Sequence, residues 1–179
     1  MGEPVKLNLG CGDKKYPGYV NVDLYGEPDR RCDLRVFPWP FETDSVDEVF
    51  SEHFLEHVDD YEKTVLEMHR ILKPGGVLHF KVPHFRSSYY PWHLHRQQFS
   101  TVTCQILCWQ LPYQFGGRKL FDFRKLRLNY VFVPRILKWI LTPLANILPS
   151  QWDYFGLPID EIECWAVKTS QGATCTSFA

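Results

Sequence analysis

The stretch Val5-Lys6-Leu7-Asn8-Leu9-Gly10-Cys11-Gly12 constrains this chain more than any other. Alternating apolar residues run into a turn with two glycines one residue apart, and a second short run, Tyr19-Val20-Asn21-Val22-Asp23, ends on an acid. The pattern predicts a strand, a ligand-cradling loop and a second strand. Gly10 and Gly12 carry no side chain to hold a ligand off the backbone and can take positive φ, so their N–H groups can face a bound carboxylate or phosphate. Asp23 would lie across the same sheet edge, where a carboxylate accepts hydrogen bonds from the two hydroxyls of a ribose. Glycines at this spacing also make plain structural turns; the acid after the next strand is what points to a nucleoside.

With 179 residues the chain is long enough to bury a proper core, and residues 1–169 are expected to form one domain, followed by a small, polar, disordered tail at 170–179. A formal net charge of −1 argues against a general nucleic-acid binder, which would be basic along a whole face. The six cysteines, at 11, 32, 104, 108, 164 and 175, form no Cys-x-x-Cys pair and look like reduced thiols of a cytoplasmic protein. No signal-like start and no run of 18 apolar residues occurs, which again predicts a soluble intracellular chain.

Past Asp23, Arg31 to Phe41 reads as a very short extended piece and a proline-punctuated loop. Asp33 within it is placed either to meet the exocyclic amine of a base or simply to cap its own turn. Ser45 to Ser51 is a further strand, and apolar residues at 54, 58, 61, 65, 68 and 72 predict a helix over 54–73, stopped by Pro74-Gly75-Gly76. Val77 to Val82 is the next strand. Strands and helix in this order predict an α/β, doubly wound, Rossmann-like and mostly parallel sheet. The links between the first strands are too short for full crossover helices, so the helices there must be reduced.

Residues 84–118 are irregular and rich in polar aromatics: His84, Phe85, Arg86, Tyr89, Tyr90, Trp92, His93, His95 and Arg96. They leave the carboxyl end of a strand, where such sheets carry function. A long strand is expected over 121–133, an apolar helix with Pro143 over 134–148, and a last strand over 159–169.

The segments "KLNLGCG", "VNVDL", "CDL", "PWPF", "SVDEVFSEHFLEHV" and "EMHRILKPGGVLHFKVPH", spanning roughly residues 5–84, together resemble the class I S-adenosylmethionine-dependent methyltransferases, in particular the small group called type 11. The resemblance implies S-adenosyl-L-methionine as cofactor and a methyl transfer. Asn8, Leu9, Gly10, Cys11 and Gly12 would contact its methionine part, Asp23 with Leu24 the ribose, and Asp33 with Leu34 the adenine, while Ser51 and His53 would border the transferable methyl. Residues 85–118 and 134–160 would then be insertions that form the substrate pocket or a lid, with Tyr89, Tyr90, Trp92, His93, His95 and Arg96 as substrate contacts. Two positions depart from the family: Lys14 replaces a loop glycine, and Asn8 replaces an acid that orients the cofactor's ammonium group.

Displacement at a sulfonium needs mostly alignment, and an oxygen or nitrogen acceptor gains from a base. His53 is the first candidate for that base and His84 the second, against the more ordinary reading of each as positional or hydrogen-bonded structure. His53-Phe54-Leu55-Glu56-His57 also fits His-x-x-Glu-His, the pattern of certain zinc peptidases, and His84, His93 and His95 could form a metal site, although none is expected. A catalytically silent cofactor-binding module is the other alternative. The acceptor is left open among small molecules, glycans and lipids. Between Arg118 and Lys138 seven basic residues face one acid, Asp122, which is either a solvated face or a contact for an anionic substrate or membrane. The apolar segment 134–148 could serve as lid, dimer contact or peripheral membrane contact.

Overall fold

A computed structural model describes residues 2–87, 95–130, 135–155 and 159–173. In chain order the elements are β1 (Lys6–Leu9), β2 (Val20–Asp23), β3 (Arg30–Arg31), β4 (Val46–Glu52), α1 (Tyr61–Ile71), β5 (Leu72–Pro83), α2 (Thr101–Ile106), β6 (Lys119–Asn129), α3 (Arg135–Ala145), α4 (Pro149–Phe155) and β7 (Glu161–Ala173). The strands form one sheet in the order β3-β2-β1-β4-β5-β7-β6. The first five run parallel, and β7 inserts antiparallel between β5 and β6. Chain order reverses between β1 and β4, so the crevice at their carboxyl ends is a switch point, where open sheets of this kind bind ligands. The predicted α/β, doubly wound, mostly parallel architecture is what forms.

No helix joins β1 to β2, as the short link required. Side chains close that end of the sheet instead. Asn8 Nδ2 donates to Asn21 Oδ1 (2.9 Å) and to the Lys14 carbonyl (3.0 Å), and Tyr16 N donates to the same Asn21 oxygen at 2.9 Å. Lys14 Nζ lies 3.0 Å from Glu52 at the end of β4, and the Tyr16 hydroxyl donates to the other oxygen of that carboxylate. Lys14 thus anchors the loop to the neighbouring strand.

The helix expected from residue 54 begins at Tyr61. Leu55–His57 form a short 3-10 turn, and Leu55 within it and Val58 just after it are buried for reasons of their own, which extends the helical spacing seven residues too early. The true start is marked by Asp60, whose carboxylate accepts from Lys63 N at 2.9 Å and caps an orphan donor. Val65, Met68 and Ile71 then bury fully against the sheet. Near its end, Arg70 donates to the carbonyls of Trp39 and Phe41 while Glu67 accepts from Trp39 N at 2.6 Å, which pins the proline-rich loop with Trp39 in the core. The chain turns directly into β5 at Leu72, which pairs with Val46, five residues before the expected strand start.

Residues 84–118, expected to be irregular, contain α2, whose Ser100 and Thr103 make a reciprocal capping box. The helix expected over 134–148 is α3, which carries Pro143 and ends at Ala145; α4 follows it as a further helix, and β7 runs to Ala173 rather than ending at Thr169. Residues 174–179 of the expected tail lie outside the described residues.

His84, a proposed catalytic residue, is a fastener here. It is fully buried; its Nδ1 accepts from Arg86 N at 3.1 Å, which puts the proton on Nε2, 2.9 Å from Asp153 Oδ1 in α4. Thr101, at the start of α2, donates to the same carboxylate through its hydroxyl (2.6 Å) and its backbone N–H (3.2 Å). Burial would raise the Asp153 pKa, but the bonds from His84 and Thr101 hold it below the usual value. Because Asp153→Ala would leave three buried donors unpaired, it is expected to cost about 3 kcal/mol, or roughly 6–12 °C in Tm by thermal unfolding.

Candidate functional site

A cavity of about 400 Å³ opens at the switch point. One wall is Gly10 and Gly12 after β1; the second is Asp23, Leu24 and Tyr25 after β2. Asp33, Leu34, Arg35 and Phe37 form the third, and His53, Phe54, His57, Val58, Asp59 and Asp60 after β4 form the fourth.

The glycine loop bends as the sequence requires. Gly10 and Gly12 sit at φ of 67° and 49°, a region that side chains rarely adopt, and a Cβ at Gly10 would fall 2.8 Å from that of Phe54. Gly12 N donates to Asp23 Oδ2 at 2.8 Å, and Tyr25 N donates to Oδ1 at 3.0 Å. The loop N–H expected to face an anion is therefore taken by Asp23, which joins the two halves of the site. Each Asp23 oxygen still has a lone pair for a ribose hydroxyl. The Asp33 carboxylate is gripped by Arg35 through Nε and Nη2, each at 2.8 Å, and the Arg35 side chain drives its pKa down to about 2. It stays an anionic acceptor, shared between Arg35 and whatever amine enters beside Leu34.

Of the predicted cofactor contacts, Gly10, Gly12, Asp23, Leu24, Asp33, Leu34 and His53 line this cavity. Four do not. Asn8 is 1 % exposed with its amide turned into the β1–β2 link; Leu9 and Cys11 are buried in or against the core; and Ser51 is fully buried, its hydroxyl without a partner among the described residues. Asn8 therefore does not take over the role of the family's acid toward a cofactor ammonium. His84 likewise lies in its buried network and is absent from the cavity wall, which removes it as a base.

His53 has φ of 53° and sits between two carboxylates, Nδ1 3.2 Å from Glu56 and Nε2 3.3 Å from Glu161. Burial opposes its charge, but the Glu161 and Glu56 carboxylates outweigh it and lift the pKa to about 9. An imidazole already protonated at neutral pH has no lone pair for an acceptor's proton, so the geometry makes His53 a charged clamp rather than the predicted general base. Glu56 and Glu161 were not singled out from the sequence for this; Glu161 lies 108 positions away on β7, and no local pattern links it to His53.

Arg96 and His95 reach the rim. Arg96 N donates to the Glu56 carbonyl at 2.7 Å, its guanidinium lies 2.6 Å from Asp59, and the His95 ring meets His57 edge-on at 5.0 Å. Tyr89, Tyr90, Trp92 and His93 lie outside the described residues, as does any part they would play in a metal site. The His-x-x-Glu-His spacing does not form the helical pair a zinc peptidase needs, since Leu55–His57 is a 3-10 turn and His53 stands outside it. Among the described residues, Glu56, His57 and His95, and separately Glu52, His53 and Glu161, bring donor atoms within 4.8 Å of one another. In the second set both His53 nitrogens are already committed to carboxylates.

Residues 7–80 match the family described as a methyltransferase domain. Among solved structures, a S-adenosylmethionine-dependent methyltransferase from Archaeoglobus fulgidus is 16 % identical with a TM-score of 0.58, covering 93 % of this chain and 87 % of its own. One from Mesorhizobium loti is 16 % identical with a TM-score of 0.54, covering 93 % of both chains. The [4+2]-cyclase SpnF is 13 % identical with a TM-score of 0.57, covering 94 % of this chain and 77 % of its own. No curated protein matches. The sheet, the switch-point cavity and the domain match identify the chain as one with the class I S-adenosylmethionine-dependent methyltransferase fold. No helix is long and apolar enough to cross a membrane among the described residues.

Proposed function

We propose that the protein binds S-adenosylmethionine in the switch-point cavity and transfers its methyl group to an acceptor approaching from the side of His53. The observation that carries this is Asp23, bonded to the Gly10–Gly12 turn and lining with it a cavity of about 400 Å³, the size of a nucleoside-bearing ligand. When bound, the cofactor supplies a methyl already activated on a sulfonium. The chain's own residues bind and orient: Gly10 and Gly12, without side chains, leave room for the methionine end, Asp23 accepts from the ribose, Asp33 and Leu34 meet the base, while Leu34, Phe37, Phe54 and Val58 exclude water. Glu52, Glu56 and Glu161 around His53 leave an excess of negative charge near the place where a sulfonium would sit. His95 and Arg96, packed on the turn after β4, belong to the acceptor's side. Titration calorimetry with S-adenosylmethionine and its demethylated product tests the cofactor; binding of neither at about millimolar concentration, near −4 kcal/mol, would sink the reading.

A second reading, cofactor binding without methyl transfer, draws on the charged state of His53 and on the cyclase that shares this fold. Incubation with methyl-labelled cofactor and metabolite extracts separates the two: label in an acceptor supports transfer, and tight binding with no labelled product supports the silent module.

The clamp has its own pH signature. The folded pKa of His53 is raised from 6.5 to about 9, so the stability it contributes is fully present below about pH 6.5 and disappears as pH rises through about 9. With 39 % of the side chain exposed, solvent screening reduces this to about 1 kcal/mol. Glu161→Gln is expected to lower Tm at pH 6 and to differ little from the unsubstituted protein at about pH 10, measured by thermal unfolding across that range.

A further inference from the structure

Helix α3 presents the wrong face to water. On a surface helix polar residues look outward, yet here the polar Thr142 is buried and Asn146, just past the helix, turns inward, exchanging two 2.8 Å hydrogen bonds with the backbone of Leu128 on β6. Leu137, Trp139, Ile140 and Leu144, with Ile147 and Leu148 in the turn that follows, are 46–74 % exposed, Trp139 the most. The inner face is fixed by the bonds to Leu128, so the helix cannot roll its apolar side away from solvent. A contiguous apolar surface of this kind marks a contact.

We infer that this face lies on an anionic lipid leaflet. At eleven residues, about 16 Å, the helix is too short to cross a bilayer and long enough to lie in its interface. The charge around it selects the partner. In a chain of net charge −1, residues 118–138 hold seven basic side chains against the single acid Asp122. Arg124 and Arg127 on the edge strand β6, to which α3 is bonded, and Lys138 on the helix itself are exposed and have no carboxylate partner among the described residues. A second copy docked on the same face would bring two such basic strands together, whereas anionic headgroups neutralise them. Trp139 has the amphipathic ring favoured at a headgroup boundary.

Co-sedimentation with vesicles tests this without reference to the methyl-transfer reading, since binding of cofactor is measured separately. The unsubstituted protein is expected to sediment with phosphatidylcholine vesicles containing about 30 % phosphatidylglycerol, and to bind pure phosphatidylcholine at least about tenfold more weakly. The double variant Ile140→Asp, Leu144→Asp is expected to lose binding, and Arg124→Glu with Arg127→Glu to lose the preference for anionic lipid, all with unchanged Tm. Should the first pair misfold, bromine-labelled acyl chains are expected to quench the fluorescence of the unsubstituted protein, with most of that quenching gone in Trp139→Phe. Failure of the unsubstituted protein to bind at about 2 mM anionic lipid overturns the proposal. So does a lipid-free dimer that Ile140→Asp, Leu144→Asp splits, which would assign the face to a second copy.

Discussion

Asp23→Ala is expected to weaken S-adenosylmethionine binding by tenfold or more, roughly 1.5–3 kcal/mol, measured by titration calorimetry. The carboxylate touches both halves of the cavity, accepting from Gly12 N and Tyr25 N while keeping lone pairs for ribose hydroxyls. Removing it therefore takes away charged acceptors from the ligand and frees the loop. These two contributions can be told apart with a cofactor analogue that lacks the ribose 2′-hydroxyl. The unsubstituted protein should lose affinity for the analogue, and Asp23→Ala should not lose it again, because the partner of that hydroxyl is already gone. Affinity unchanged in Asp23→Ala would place the ribose elsewhere.

Local patterns carried the carboxyl-edge half of the fold. Two-residue alternation before Gly10 and Asp23 gave the first parallel strands, and the short spacing between them correctly excluded ordinary helices. Where local periodicity had two causes it misled. Phe54, Leu55 and Val58 keep helical spacing, yet they pack from a 3-10 turn, and only the side chain of Asp60 records where α1 begins. Long-range partners were out of reach altogether. His84 and Asp153 are 69 residues apart and His53 and Glu161 are 108 apart, and nothing in the local text of either histidine tells a buried fastener from a charged clamp. The sign of the His53 role, charged rather than basic, depends on two carboxylates arriving from a turn and from an antiparallel strand inserted into the sheet. Lys14, a departure when compared with the family pattern, becomes intelligible once Glu52 is seen beside it.

Gly10→Ala should be the most damaging single substitution at the site. Two penalties add. A non-glycine residue held near φ of 67° costs about 1 kcal/mol or more, and the new methyl would press on the side chain of Phe54, within 2.8 Å of its Cβ and 2.7 Å of its Cγ, adding about 1–3 kcal/mol of overpacking. Phe54 follows His53 directly and lines the cavity, so it can yield only by moving into the cofactor's space or by dragging the turn that holds Glu56. The expected result is a stability loss of about 2–4 kcal/mol by denaturant unfolding, with cofactor binding lost beyond that fall in stability. Phe54→Ala in the same chain removes the ring but leaves the positive φ. The double variant should therefore recover part of the overpacking cost while the backbone strain persists. Gly12→Ala supplies the contrast: its Cβ would meet nothing within 4 Å, so only the cost of its positive φ remains. A Gly10→Ala protein as stable and as tight a binder as the unsubstituted chain would mean that the loop does not approach Phe54 in solution.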